Sequence, residues 1–151
     1  MSPLTLLNYP LDLELLRKEA AELKKQAIYY VDGRSNHQLD YWKIHRGYGE
    51  YGEKIMNDFG LGGKPRFYWL DADSYLPMHV DHNTTCSINF VLSDDPAPVT
   101  IGETDYYYSQ ALLNTSILHS VRNGPVERVL YKISIFDEPY EQVVEKIKYR
   151  L

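Results

Sequence analysis

The sequence predicts a mainly β domain, a sandwich or barrel, with helices flanking the sheet. From residue 64 onward, short runs of β-branched and aromatic residues alternate with turn-forming residues, at the close spacing typical of sandwiches and barrels. Near the N-terminus the apolar residues instead recur every three or four positions, as in an amphipathic helix. With 151 residues, of which 44% are hydrophobic and 25% charged, we expect one domain over residues 1–151.

The first element is a predicted helix over residues 11–27, LDLELLRKEAAELKKQA. Its apolar stripe consists of Leu13, Leu16, Ala20, Leu23 and Ala27. Lys, Arg and Glu lie on the opposite side, and Pro10 suits the first turn. We expect this helix to pack on a sheet.

The next segments predict a strand, a polar aromatic stretch and a second helix. The strand is residues 28–31, stopped by Asp32-Gly33. The stretch that follows contains Asn36, His37, Tyr41 and Trp42, and we expect it to help shape a substrate pocket. A short helix is predicted over residues 50–59, ending at Gly60.

The β region contains seven predicted strand runs and is followed by a C-terminal amphipathic helix in PYEQVVEKIKYRL. The runs are RFYWLDA, SYLPMHVD, TTCSINFVL, APVTIGE, DYYYSQALL, TSILHSV and ERVLYKISIF. Turn residues separate them, for example Ser93 to Pro96 and Asn123-Gly124-Pro125.

Charge and composition exclude several classes of function. A net charge of −5 argues against nucleic-acid binding, which needs a basic surface. No apolar run approaches the roughly 20 residues of a membrane span. The start MSPLTLLNYP lacks the pattern of a signal peptide, and Cys86 is a lone cysteine suited to a reducing compartment. We therefore expect a cytoplasmic protein with a small-molecule or peptide substrate.

His79 and Asp81 are the first candidate site residues. They are two apart in a β-like run, so both side chains would project from one face of a strand. An imidazole beside a carboxylate is two-thirds of the facial triad, two His and one carboxylate, that binds non-haem Fe(II). The alternative is a structural hydrogen-bonded pair.

The third ligand must be another histidine, and the candidates are His37, His45, His82 and His119. His82 would face away from Asp81 on a strand, so it is the weaker candidate. His119 lies in the run before Asn123-Gly124, which is a strong hairpin signal between two β runs.

A two-residue loop at Asn123-Gly124 predicts a definite strand register. The predicted pairs are Arg122 with Pro125, Val121 with Val126, Ser120 with Glu127, and His119 with Arg128. Opposed residues share a face, so the turn would place a guanidinium beside the candidate ligand, and a longer loop would shift this register. The alternative for Arg128 is a surface position, bridged to Glu127 or Asp105.

Alternation in two runs predicts a polar face opposite an apolar one. One apolar face comprises Val129, Tyr131, Ile133 and Ile135, and the other Cys86, Ile88, Phe90 and Leu92. The opposite faces carry Arg128, Leu130, Lys132 and Ser134, and Ser87 with Asn89. These polar faces meet solvent or line a ligand cavity inside a barrel. A metal with a cation nearby suits a ligand with a chelating end and an anionic tail, and 2-oxoglutarate has that shape.

These residues resemble the Fe(II)/2-oxoglutarate-dependent oxygenases, which carry a His-x-Asp…His triad on a double-stranded β-helix, or jelly roll. The matching residues are His79-Val80-Asp81, His119 and Arg128. The stretches PMHVDHNTTCSINFVLSDD and LLNTSILHSVRNGPVERVLYKISIF resemble small phage- and marine-microbial-type members, similar to prolyl and aspartyl/asparaginyl hydroxylases. The resemblance covers about residues 65–137.

The resemblance implies a cupin-like jelly roll with an N-terminal helix packed on the sheet. It implies Fe(II) held by His79, Asp81 and His119, with 2-oxoglutarate as cosubstrate and O₂ as oxidant. Arg128 would bind the far carboxylate of 2-oxoglutarate. Asn89, where a Tyr is more usual, and Tyr68 would be further residues of that pocket.

The activity implied is hydroxylation of a C–H bond of a peptidyl or free amino acid, of the prolyl or aspartyl/asparaginyl type, with release of succinate and CO₂. One alternative is a metal-binding cupin-type isomerase or small-ligand-binding module without oxygenase activity. A catalytically silent interaction domain is the other.

Overall fold

The computed structural model describes residues 1–31, 38–81, 83–94 and 97–148. Within these ranges the chain forms eleven strands and three helices. The strands are β1 (Leu4–Leu6), β2 (Ile28–Val31), β3 (Gln38–Arg46), β4 (Lys64–Leu70), β5 (Tyr75–His79), β6 (Cys86–Val91), β7 (Val99–Ile101), β8 (Thr104–Tyr106), β9 (Gln110–Leu113), β10 (His119–Arg122) and β11 (Arg128–Ile135). The helices are α1 (Leu13–Lys24), α2 (Glu50–Phe59) and α3 (Tyr140–Lys148). No helix in the described ranges is long and apolar enough to cross a membrane.

The strands form two antiparallel sheets, and the predicted jelly-roll class is confirmed. The large sheet has the order β1-β9-β6-β11-β4-β3-β2, and the small sheet the order β5-β10-β7-β8. Strand β11 lies in the middle of the large sheet, paired with β4 on one side and β6 on the other. One face of β11 packs against the helices, and the other faces the space between the two sheets.

The outer face of the large sheet packs against the helices and forms the main core. Strand residues of this core are Phe67, Trp69, Cys86, Ile88, Phe90, Tyr131, Ile133 and Ile135. Helix residues are Leu16 and Ala20 of α1, Ile55 and Phe59 of α2, and Val143, Val144 and Ile147 of α3. Burying one large apolar side chain contributes about 1.5–3 kcal/mol, so this layer holds the sheet and helices together.

A second apolar cluster lies between the two sheets. It contains Leu70, Val91, Ala111 and Leu113 of the large sheet, and Val99, Ile101 and Val121 of the small sheet. The cluster occupies only part of the space between the sheets, and the cavity described below takes up the rest.

Most predicted elements are confirmed, with some differences in extent. Helix α1 is shorter than the predicted range because the Asp12 side chain caps it, accepting a hydrogen bond from Leu15 N at 3.1 Å. Helix α2 has the predicted bounds and ends at Gly60, whose φ of 65° is left-handed. The run DYYYSQALL divides into β8 and β9 because the chain leaves the small sheet there and enters the large one. The predicted turn at Asp32-Gly33 lies outside the described residues.

The predicted hairpin at Asn123-Gly124 is wrong. Strand β10 lies in the small sheet, where His119 is opposite His79 and Ile101, and β11 lies in the large sheet, where Arg128 is opposite Leu70. A two-residue type I′ turn needs positive φ at both loop residues, and neither Asn123 nor Gly124 has it.

Asn123 has another role, because its buried amide fastens the crossing between sheets. The Asn123 Nδ2 donates to the carbonyl oxygens of Leu70 at 3.1 Å, Asp71 at 2.9 Å and Val126 at 3.0 Å. Its backbone N–H donates to Ser74 O at 2.9 Å. These bonds hold the chain at the point where it leaves one sheet for the other.

The N-terminus of α2 is capped by a carboxylate from another helix. Gly49, the N-cap residue, has no side chain to offer, and Glu19 of α1 replaces it. Its Oε1 accepts hydrogen bonds from Gly49 N and Gly52 N, both at 2.9 Å, and its Oε2 accepts one from Tyr51 N at 2.8 Å. A negative charge at this end also interacts favourably with the helix dipole.

We therefore expect Glu19→Ala to lower the free energy of unfolding by about 2–3 kcal/mol, because three backbone donors lose a charged acceptor. Urea denaturation measures this change. Glu22→Ala on the same helix is the matched control, since Glu22 is exposed and its ion pair among the described residues is with Lys25, and it should change stability by less than about 0.5 kcal/mol. Equal effects of the two substitutions would contradict the capping role.

Candidate metal centre

The structure brings His79, Asp81 and His119 together at one end of the small sheet. His79 ends β5, His119 begins β10, and the two are directly opposed, with ring centroids 4.4 Å apart. Asp81 follows β5 in a loop, fixed by a hydrogen bond from its N–H to Thr115 O at 3.2 Å. The sequence pattern predicted that Asp81 lies on the strand, and this is not the case. The loop nevertheless places the Asp81 carboxylate beside the two imidazoles.

The three donor atoms face one another. Asp81 Oδ1 lies 3.3 Å from His79 Nε2 and 3.2 Å from His119 Nε2. The other nitrogen of each ring donates a hydrogen bond to a backbone carbonyl. His79 Nδ1 donates to Pro77 O at 2.7 Å, and His119 Nδ1 donates to Ile117 O at 2.8 Å. Because a carbonyl only accepts, Nδ1 carries the proton and Nε2 presents a lone pair, which is the arrangement that orients histidine ligands.

The second oxygen of Asp81 is held by a lysine that the sequence reading did not assign to the site. Lys132 Nζ lies 2.8 Å from Asp81 Oδ2, and both side chains are 15% exposed. Burial alone would raise the pKa of Asp81, but the charge of Lys132 outweighs it and holds that pKa well below its usual range. The carboxylate is thus ionised.

The donor set fits a divalent transition metal. Two imidazoles and one carboxylate lie with their ligand atoms within 4.8 Å of one another. This is the facial triad of non-haem Fe(II) sites, in which other coordination positions stay open. His79, Asp81 and His119 could therefore hold Fe(II). Lys132 would bind the Asp81 oxygen that faces away from the two histidines.

The other candidate histidines are not at this centre. His45 is opposite Phe67, so its side chain lies on the outer face of the large sheet, away from the cavity. His37 and His82 lie outside the described residues, as does Asn36. Tyr41 and Trp42, which we expected at the substrate pocket, do line the cavity.

The triad opens into a cavity of about 540 Å³ between the two sheets. The faces predicted from alternation line it: Arg128, Leu130, Lys132 and Ser134 from β11, and Ser87 and Asn89 from β6. Their neighbours in sequence point into the helix-covered core. The polar faces of these strands therefore line a ligand cavity rather than meeting solvent.

Arg128 is buried in this cavity with a hydrogen-bonding group to spare. It is 2% exposed, so the surface alternative is wrong; Glu127 pairs with Lys24 and Asp105 with Thr100. Its Nη1 donates to Ala97 O, and its Nη2 lies 3.5 Å from the Tyr108 hydroxyl. Its Nε is buried without a hydrogen-bond partner among the described residues. A buried cation with an unused donor suits an incoming carboxylate.

Asn89 and Arg128 both contact the hydroxyl of Tyr108, a residue that the sequence analysis did not assign to the site. Asn89 Nδ2 donates to the Tyr108 hydroxyl at 3.2 Å, and Asn89 Oδ1 accepts from Ser87 Oγ at 2.8 Å. Tyr108 comes from the segment that crosses between the sheets, so no periodic pattern could have indicated its position.

Tyr68 also lines the cavity, but its contacts are with Arg66 and Lys132 rather than with Arg128. Its hydroxyl is 3.5 Å from Arg66 Nη1, and its ring lies 5.7 Å from Lys132 Nζ and 5.3 Å from the Trp42 ring. The structure thus places Tyr68 with Arg66 and Lys132.

Comparison with solved structures finds the same fold in oxygenases. A prolyl hydroxylase from Trichoplax adhaerens, in complex with a hypoxia inducible factor peptide, matches with a TM-score of 0.71 and 12% identity, over 93% of this chain and 85% of that one. A Pseudomonas putida prolyl-4-hydroxylase matches with a TM-score of 0.64 and 13% identity, over 89% and 93%. A Burkholderia pseudomallei oxidoreductase of the 2OG-Fe(II) oxygenase family matches with a TM-score of 0.60 and 13% identity, over 87% and 83%.

At these identities the likeness is one of fold. No family model and no curated protein matches the sequence. The chain thus has the fold of the 2-oxoglutarate/Fe(II) oxygenases, with a His-Asp-His cluster within it.

Breaking the ion pair at this centre should destabilise the metal-free protein most. We expect Lys132→Met to cost about 3 kcal/mol without metal, because it leaves the Asp81 carboxylate buried and unpaired. The cost should be smaller with Zn²⁺ bound, since the ion supplies the missing positive charge. Urea denaturation with and without Zn²⁺ measures both values.

Lys24→Met is the matched control for that experiment. Lys24 pairs with Glu127, and both side chains are more than one-third exposed, so its loss should cost less than about 1 kcal/mol with or without metal. An equal cost of Lys132→Met in the two states would show that the pair does not form part of the metal centre.

Proposed function

We propose that this protein is an Fe(II)- and 2-oxoglutarate-dependent dioxygenase that hydroxylates a C–H bond of a peptidyl or free amino acid, of the prolyl or aspartyl/asparaginyl type. The observation that carries the proposal is a facial triad and a buried arginine with an unused donor in one cavity. The first suits Fe(II), and the second suits the far carboxylate of a chelating dicarboxylate.

The triad residues prepare the ligand atoms before a metal arrives. The carbonyls of Pro77 and Ile117 fix the protons of both imidazoles on Nδ1, and Lys132 keeps the Asp81 carboxylate ionised. Little reorganisation is then needed on binding. When bound, Fe(II) together with 2-oxoglutarate and O₂ supplies oxidative decarboxylation of the cosubstrate coupled to C–H hydroxylation.

Arg128 is the residue for the cosubstrate carboxylate. It is the buried arginine of the cavity, and no carboxylate within the described ranges forms an ion pair with it. Its contacts are instead the Ala97 carbonyl and the hydroxyl and ring of Tyr108. A carboxylate placed there would gain a charge-assisted bond from Arg128, and Tyr108 could donate a further one.

Anaerobic titration tests this function directly. Adding 2-oxoglutarate to the Fe(II)-loaded protein should produce a visible charge-transfer band, which succinate should not produce. Metal binding without a band would favour the cupin-type isomerase or ligand-binding module. If the protein binds no metal, the remaining alternative is a catalytically silent interaction domain.

Two substitutions should separate the metal residues from the cosubstrate residue. Arg128→Met should weaken 2-oxoglutarate binding by about 10- to 100-fold, because a buried charge-assisted bond is lost, and should leave Fe(II) affinity nearly unchanged. His119→Ala should abolish both. Calorimetric titration of Fe(II) and then 2-oxoglutarate under anaerobic conditions measures each.

Arg122→Met is the matched control for Arg128→Met. Arg122 is exposed at the end of β10, over the Tyr75 ring at 4.7 Å, and it should affect neither ligand. Identical behaviour of Arg128→Met and His119→Ala would contradict the assigned roles. Succinate release against a panel of peptides and amino acids, with mass detection of one added oxygen, then identifies the substrate.

A further inference from the structure

A line of cations crosses the large sheet from the metal centre to Arg46, which is exposed on β3. We call the side of the cavity lined by Tyr30, Trp42, Arg66 and Tyr68 the mouth. In the strand register Asn89 is opposite Lys132, Lys132 is opposite Arg66, and Arg66 is opposite Arg46. Directly opposed residues share a face, so all four lie on the cavity side of the sheet. We call Arg46, Arg66 and Lys132 the cation row.

Within the described residues, Lys132 is the member of the cation row that forms an ion pair with a carboxylate. Lys132 is paired with Asp81. Within the described ranges neither Arg66 nor Arg46 has a carboxylate within salt-bridge distance, and the Tyr68 hydroxyl at 3.5 Å is the hydrogen-bond contact of Arg66. Like charges on directly opposed residues, about 4.8 Å apart between strands, repel one another. Among the described residues, the pair therefore carries two positive charges without an ion-pair partner, in a protein whose net charge is −5.

Aromatic rings line the cavity next to Arg66, because the Tyr68 hydroxyl contacts Arg66 and the Trp42 ring contacts the Tyr68 ring. Tyr30 stacks on Trp42 with centroids 4.1 Å apart, and Trp42 contacts Tyr68 at 5.3 Å. Burial raises the pKa of Tyr30, and the charges of Arg46 and Arg66 oppose that rise. This side of the cavity thus combines flat apolar surface with two arginines that have no ion-pair partner in the part of the chain the structure describes.

The pair is separate from the arginine assigned to the cosubstrate. Arg128 and Lys132 lie on the same strand, four residues apart, which corresponds to about 13 Å along the strand. Arg128 is opposite Leu70, at the other end of the cavity from Arg66. The cavity therefore offers an anion two positions, one at each end.

We propose that Arg46 and Arg66 bind an oxyanion of the substrate, a carboxylate or a phosphate, so that the substrate class is acidic. The assignment rests on the proposed function for the reaction, which it deepens by naming what the cavity mouth recognises. Arg66 lines the cavity beside Lys132, and Arg46 is more exposed. The negative group would be held beside the metal centre while the aromatic rings contact the rest of the substrate.

The test compares charged and neutral probes of the same shape. One pair is N-acetyl-aspartate amide and N-acetyl-asparagine amide, and the other is N-acetyl-phosphoserine amide and N-acetyl-serine amide. Binding is followed by fluorescence of Trp42, which lies at the mouth, whereas Trp69 is buried in the outer core. Titrations use the metal-free protein and the protein loaded with Zn²⁺ and 2-oxoglutarate.

We expect the charged member of at least one pair to bind about tenfold more tightly than its neutral partner, and less so at high salt. The pair that discriminates more strongly identifies carboxylate or phosphate as the natural group. Arg66→Gln should reduce the ratio to near one, Arg46→Gln should reduce it in part, and Arg66→Lys should restore part of it. Lys43→Gln is the matched control, since Lys43 is on β3 but contacts Tyr29 on the other face.

Equal binding of charged and neutral probes, no binding of either anion, or full discrimination in Arg66→Gln would overturn the proposal. So would loss of 2-oxoglutarate binding in Arg66→Gln with probe binding unchanged, because the pair would then serve the cosubstrate. The metal-free titration separates this result from the fate of the proposed function. Discrimination that persists where 2-oxoglutarate fails to bind leaves the anion site in place without the oxygenase.

Discussion

The ion pair between Asp81 and Lys132 joins the two sheets at the metal centre, and the site depends on it. Asp81 belongs to the loop after β5 of the small sheet, and Lys132 to the middle strand of the large sheet. One carboxylate oxygen is taken by the lysine, which leaves the other facing both histidines. The charge that fastens the sheets together thus also decides which oxygen is free for a metal.

Local periodicity predicted much of the fold and half of the site. The alternation in β11 placed Tyr131 in the core and Lys132 in the cavity, because a central strand buried on both sides must separate apolar from polar residues. The spacing of His79 and Asp81 likewise indicated a cluster. These are properties of single segments, which short-range patterns describe well.

What the sequence could not predict was pairing between distant segments. Asn123-Gly124 reads as a hairpin turn, but the Asn123 amide bonds to three carbonyls and carries the chain to the other sheet. Arg128 lines the cavity, as the alternation in its strand predicted, although it is not opposite His119. The position of Tyr108 and the alignment of Arg46 with Arg66 depend on register across several strands, which no local pattern contains.

At Asn123 the chain passes from the small sheet to the large one, so the residues of the candidate site are divided between the two sheets. His79 and His119 are carried by the small sheet, and Arg128 by the large one. The separation of the two histidines from Arg128 is therefore a distance between sheets, set by the apolar side chains packed between them, such as Val99 and Val121. These side chains act as a spacer. A change in their volume would alter the distance between the triad and Arg128, and with it the length of ligand that the cavity accepts, without changing the chemistry of either end.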